Sequence, residues 1–172
     1  MCPSTLEEKA ARLQKFIDWF EKKPEARILK PAVKATTDDD IVVLTAGNWT
    51  WKEDLPPVLG GTNTEPGPLQ HLLGALAGCA AGLIKNTLAP IMGVSVDKVD
   101  VDIQCEFDAG ACLGIKGAKA DLSNTVFNVT IHSKADPKDV EKLFEIWKQR
   151  APVLLGLQKP MEIQTNLKIK KE

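Results

Sequence analysis

Between Gly60 and Cys79 the chain reads GGTNTEPGPLQHLLGALAGC, a glycine- and proline-rich turn that runs directly into a helix of small and apolar residues. No other stretch restricts the fold as much. Gly74, Gly78 and Gly82 recur four residues apart, which at about 3.6 residues per turn puts them on one stripe. Each glycine costs a helix about 1 kcal/mol relative to alanine, so three in line make sense where another backbone packs closely. Ala75, Ala77, Ala80 and Ala81 thin the neighbouring surface. A helix that is apolar all round must be covered all round, and a chain of 172 residues has few elements for the task. A partner helix from a second copy is therefore expected. Burial inside a single copy is the alternative.

The flanking sequence supplies the rest of an α+β domain. Ser4–Lys23 reads as a helix, with Ser4 and Glu7 at capping-box spacing and Leu6, Ala10, Leu13, Phe16, Ile17 and Phe20 on one stripe. Pro24 ends it. Arg27–Thr36 and Asp40–Thr45 read as strands around an Asp-rich turn, and Trp49–Lys52 continues them. The Pro/Gly-rich Leu55–Gly67 is a loop. Pro68–Met92 reads as helical, kinked or broken by Pro90. In Asp97–Asp108 the residues Val99, Val101, Ile103, Cys105 and Phe107 alternate with polar ones, the mark of a strand with one wet face. Ala109–Leu122 reads as a long hairpin loop and Thr125–Ser133 as its return strand. Asp136-Pro137 caps a helix that puts Val140, Leu143, Phe144 and Trp147 on one face. Pro152 interrupts it, Val153–Leu157 reads as a helical turn, and Met161–Lys170 closes the chain as a strand. Strands that follow one another without helices between them argue for antiparallel sheets, not a doubly wound fold. Residues 1–24 form a helical extension and 25–172 the main domain.

Composition excludes several function classes. With a net charge of −1, neither nucleic acid nor an anionic membrane surface is an expected partner. Lys168, Lys170 and Lys171 read as a solvated strand end. Met1-Cys2-Pro3 leads into a charged helix, not an apolar secretory segment, so a cytoplasmic location is expected. The uncharged Pro66–Ile84 reads as a buried helix rather than a membrane span. Cys2, Cys79, Cys105 and Cys112 contain no CxxC pair, so no metal site is expected and the thiols would stay reduced in that compartment. No GxGxxG, P-loop or Ser-His-Asp order appears. No cofactor is expected.

The order GGTN at Gly60–Asn63, Gly67-Pro68, LLGALAGC at Leu72–Cys79, the alternating Val99–Phe107, Phe127–Ile131 and Ala-Pro-Val at Ala151–Val153 resembles the family of osmotically inducible protein C and the organic hydroperoxide resistance proteins (OsmC/Ohr). The likeness covers about residues 27–170 and leaves the N-terminal helix outside. It implies an intertwined homodimer in which antiparallel sheets wrap a pair of central helices. It also implies an activity: reduction of organic hydroperoxides by a thiolate on the central helix. A second cysteine before a Pro-Val resolves the sulfenic acid, a glutamate with an arginine activates the first thiol, and external dithiols recycle the disulfide.

Onto this pattern Cys79 falls as the peroxidatic cysteine. The resolving position holds Ala151, and the glutamate position holds Leu69, followed by Gln70. Ten residues of helix span about 15 Å, so position 69 and Cys79 would have to meet across the dimer. None of Arg12, Arg27 and Arg150 matches the family arginine. A free thiol is only a few per cent thiolate at neutral pH unless something nearby favours the anion, and without a resolving partner a sulfenic acid is open to overoxidation. Cys79 is therefore either a reactive thiol or an inert core residue.

Among the remaining residues, His71 lies about 12 Å along the helix from Cys79 and reads as packed or water-bonded. His71, Gln70 and Arg150 are the other residues that a cleft near the thiol would contain. Cys105 reads as core, Cys112 as a loop bystander and His132 as surface. Trp19 and Trp147 read as core, and Trp49 and Trp51 share one strand face. Two functions follow. In the first, an OsmC-like dimer keeps thiol redox chemistry at Cys79 and an external thiol resolves it. In the second, the same dimer has lost that chemistry and holds a small apolar ligand.

Overall fold

The computed structural model describes residues 4–171, so Cys2 lies outside it. Helix α1 (Leu6–Lys22) starts one residue later than the sequence suggests. Thr5, not Ser4, is its N-cap: the Thr5 hydroxyl accepts from the Glu8 N–H while the Glu8 carboxylate accepts from the Thr5 N–H. After a 3₁₀ turn at Pro24–Arg27 comes an antiparallel three-stranded sheet of β1 (Lys34–Asp38), β2 (Ile41–Ala46) and β3 (Trp49–Glu53), in that order. The predicted strand at Arg27–Thr36 thus begins only at Lys34. Its first residues find no neighbour to pair with, and Ile28 and Leu29 are exposed.

A loop with a 3₁₀ turn at Pro57–Leu59 leads to α2 (Pro68–Leu83), with Gly67 as N-cap and Pro68 in the first turn. There the missing proline N–H costs nothing. A π turn (Ile84–Leu88) and a short α3 (Ala89–Met92) prolong it. Pro90 does not break the helix. It can neither donate to the carbonyl four residues back nor keep that carbonyl in place, and the widened turn just before it absorbs the mismatch, with the Ala89 N–H donating to the Ile84 carbonyl.

A second antiparallel sheet consists of β4 (Lys98–Glu106) and β5 (Ser123–His132). Their connection is not all loop, because it contains α4 (Ala109–Cys112), N-capped by Asp108. Helix α5 (Pro137–Arg150) starts as predicted, with the Asp136 carboxylate accepting from the Lys138 N–H. Helix α6 (Pro152–Gln158) follows at once.

The core gathers where the central helix, α5 and α6 meet: Ala80, Ile84, Leu88, Ala89, Val94, Leu143, Trp147 and Ala151 are buried together. Trp147 stacks between Phe127 and Phe144 at ring separations of 5.5 and 5.3 Å, a geometry that adds to its apolar burial. Trp19 departs from its predicted core role. It is 43% exposed on α1, a helix that packs on α3, the π turn and the 3₁₀ turn that follows it and is tied to the π turn by Lys9 Nζ donating to Asn86 Oδ1 at 2.9 Å.

One predicted strand fails for want of a neighbour. Met161–Lys170 is not a strand but an irregular segment with Met161, Ile163, Leu167 and Ile169 all exposed, because no strand of its own chain lies beside it. The central helix is covered on one flank only. Leu76 and Ala80 are buried, whereas a Cβ built on Gly74, Gly78 or Gly82 would meet nothing within 4 Å. By length and composition Pro68–Met92 could cross a membrane. Here its covered flank packs against β4, and its π turn against α5.

Candidate functional site

The glycine-rich turn is built around one carboxylate. Asp54 directly follows β3 and is 2% exposed. Its Oδ2 accepts from the Thr62 hydroxyl at 2.7 Å, the Thr64 N–H at 2.9 Å and the Thr64 hydroxyl at 3.2 Å, and both oxygens lie 3.2 Å from the Thr62 N–H. The Thr64 N–H first, and then the Thr62 hydroxyl, hold this carboxyl well below the usual carboxylate range. Gly61 is required by the same arrangement: a Cβ there would lie 2.0 Å from the Leu55 carbonyl oxygen and 2.4 Å from Asp54 Oδ1. At Gly67 a Cβ would sit 2.8 Å from Gln70 Oε1 and 3.2 Å from the Asp54 carbonyl oxygen. The GGTNT…GP pattern therefore encodes a loop clamped on a buried acid.

Asp54 carries no mark in sequence reading beyond its position. The signal that would have found it is an acid at a strand end, followed by two threonines flanking a residue with positive φ, Asn63.

Cys79 is half-buried on α2, with a free thiol, and packs against the core cluster that contains Ala151. Ala151 is fully buried at the α5–α6 junction, its N–H donating to the Trp147 carbonyl at 2.9 Å. Cys79 and Ala151 thus share one core. Leu69 and Gln70 lie at the start of α2, beside the clamped loop rather than with Cys79. Arg150 is exposed at the end of α5, and among the described residues no arginine enters an ion pair.

His71 lies near the start of α2 and is half-buried. It comes three residues before Gly74 and seven before Gly78, so the three share a face. Its Nε2 is buried without a hydrogen-bond partner. The nearest charge is Glu53 Oε1 at 4.0 Å, too far for a hydrogen bond. This pairing of the end of β3 with the start of α2 joins residues eighteen positions apart, and nothing in the sequence announces it.

Cys105 is half-buried rather than fully in the core, Cys112 is exposed, and both are free thiols. His132 lies at the surface, as predicted, with Nε2 2.8 Å from Asp100. Trp49 is exposed and Trp51 half-buried. Among the described residues no group of three His, Cys, Asp or Glu side chains is placed to hold a metal.

A cleft of about 310 Å³ opens between the clamped loop and the β4–β5 connection. Leu55, Pro56, Leu59, Pro68 and Leu69 form one wall, and Phe107, Cys112, Ala120 and Leu122 the other. Asn63 and Gln70 supply amide groups. Cys79 is not part of its lining.

The sequence pattern of the OsmC-like protein family matches residues 61–166. No curated protein matches the chain. Among solved structures, an OsmC-like protein of Mycoplasma pneumoniae superposes with a TM-score of 0.63 at 20% identity, over 76% of this chain and 88% of that one. An OsmC-like protein of unknown function from Vibrio cholerae gives 0.56 at 11% identity, over 74% and 93%. An organic hydroperoxide resistance protein OsmC of Legionella pneumophila gives 0.52 at 17% identity, over 76% and 90%. At these identities the likeness is one of fold.

Proposed function

Because this chain belongs to the OsmC-like protein family, we propose that it is a cytoplasmic homodimer that reduces organic hydroperoxides through Cys79 and an external thiol. The Cys79 thiolate attacks a peroxide oxygen and the O–O bond breaks. The alcohol leaves after taking up a proton, and Cys79 becomes a sulfenic acid. An external thiol condenses with it, releasing water and forming a mixed disulfide. A second thiol displaces the Cys79 thiolate and carries the disulfide away. The external thiol stands in for the cysteine that Ala151 replaces.

The observation that carries this reading is the free, half-buried Cys79 thiol at its motif position, packed against the core that contains Ala151. The dimer is supported by the uncovered glycine stripe and by the exposed alternating apolar residues of Met161–Lys170, since a second copy would cover both. Leu69 leaves the thiol without the family's acid, so turnover is expected to be slow. Cumene hydroperoxide consumption with a dithiol, compared between the wild type and Cys79→Ser, tests the chemistry: absence of a Cys79-dependent rate refutes it. Light scattering tests the dimer.

The joint replacement at Leu69 and Ala151 favours a second reading, a non-catalytic dimer that holds a small apolar ligand. A Cys79-dependent rate would rule it out as the sole function.

A further inference from the structure

We infer that Cys112 of one copy is the resolving thiol for Cys79 of the other, so that oxidised Cys79 forms a disulfide with the partner's Cys112. This role rests on the peroxidase reading and its dimer, and it gives the first thiol step a donor closer than an external thiol.

Along one chain, position 69 and Cys79 stand about 15 Å apart, so they approach each other only between copies. A two-fold axis that runs along a helix pair sets each residue opposite itself, whereas one that crosses the pair makes the helices antiparallel. Only the crossing axis brings position 69 level with the partner's Cys79, and its centre then falls midway, at residue 74. That residue is Gly74, exposed, with open space where a Cβ would stand. The glycine stripe therefore admits the close approach that this register needs.

Leu69 lines the cleft beside the clamped loop, and Cys112 lines the same cleft. At about 310 Å³ that space is only one or two side chains wide, so a sulfur that arrives level with Leu69 arrives close to Cys112. The Cys112 thiol is exposed and free. It ends α4, which packs on the Pro57–Leu59 turn, and the Asp54 hydrogen bonds hold the loop that carries this turn. Cys105 is half-buried on β4 and is not among the lining residues. Ala151 offers no sulfur.

Peroxide attack leaves Cys79 as a sulfenic acid. The partner's Cys112 thiolate attacks the Cys79 sulfur, an S–S bond forms and the S–O bond breaks. The departing hydroxide takes up the proton that Cys112 gave up, and water is released. No further oxidant enters. An external dithiol then reduces the disulfide by exchange and restores both thiols. A thiol held in place acts at a high effective concentration, so the sulfenic acid is captured before a second peroxide reaches it.

The test treats the reduced full chain with cumene hydroperoxide, with and without a dithiol. Without the dithiol, a covalent dimer is expected on a denaturing gel, reversed by dithiothreitol, with Cys79 joined to Cys112 in the linked peptides read by mass. Cys112→Ser should abolish that dimer and raise Cys79 sulfinic acid per turnover by about tenfold or more. Cys105→Ser should change neither. Cys112→Ala repeats the test if circular dichroism shows the serine variant misfolded. Three results would each overturn this role of Cys112 and leave the peroxidase reading intact: a Cys79-dependent rate without the linked pair, the pair formed within a single chain, or a Cys112→Ser variant whose Cys79 is oxidised no further than in the wild type. If the wild type and Cys79→Ser consume peroxide alike, the peroxidase reading falls and the resolving role of Cys112 falls with it.

Discussion

Two sets of glycines within one motif stand in opposite surroundings. Gly61 and Gly67 are crowded by their own chain, with a built Cβ at 2.0 Å from the Leu55 carbonyl in one case and 2.8 Å from the Gln70 side chain in the other. Gly74, Gly78 and Gly82, a few residues on, face open space. The first set is explained by the fold of a single copy. The second is a cost to the helix that nothing in a single copy repays. Glycine content alone therefore says little. What matters is whether an atom of the same chain occupies the place of the missing Cβ.

The largest expected effect falls on the crowded set. Gly61→Ala should destabilise the chain by about 3 kcal/mol or more, since the atom in the way is backbone and cannot swing aside. The urea midpoint measures it. A loss within about 0.5 kcal/mol, as for an ordinary surface change, would break the comparison. Gly78→Leu should next raise the dimer dissociation constant by at least about tenfold, read by sedimentation, while the circular dichroism of the separated chain stays the same. An unchanged dimer would mean the open stripe has another purpose.

The acid limb of the stability curve sharpens the contrast further. The Asp54 carboxyl is held low in the folded chain, so its contribution is complete above the ordinary carboxyl value of about 3.9. It is lost as pH falls from there towards the depressed folded value. Asp54→Asn should be less stable at neutral pH and lose less on acidification, as followed by urea titrations across pH. The smallest effect belongs to Gly82→Ala. Measured on the separated chain, it should raise stability by up to about 1 kcal/mol through helix propensity alone, a change visible in the thermal midpoint.

Local grammar was legible wherever the deciding atoms were close in sequence. Asp136-Pro137 announces α5, and the alternation from Val99 to Cys105 announces β4. The capping box was misplaced by one residue because Ser4 and Thr5 are each followed three places on by a glutamate, and either could serve. Met161–Lys170 has the pattern of a strand, but a strand exists only where an edge receives it, and no edge is visible from pattern. At the site, Cys79 and Ala151 could be aligned by motif, and the structure places both at one core. The Asp54 clamp, the approach of Glu53 to His71 and the position of Cys112 on the cleft wall depend on contacts made by tertiary folding, which no local spacing encodes.

The π turn at Ile84–Leu88 has a consequence for the N-terminal helix. A widened turn fits one more residue into nearly the same rotation, so the parts of the long helix before and after it keep their phase. Cys79 lies before that step, while α1 docks on the step itself and on α3 beyond it. Deleting one residue from the π turn would restore ordinary winding and leave the α1 platform on nearly the same bearing, with the thiol left where it is. The widened turn thus takes up one surplus residue in the middle of the molecule without turning the N-terminal helix away from its bearing on Cys79.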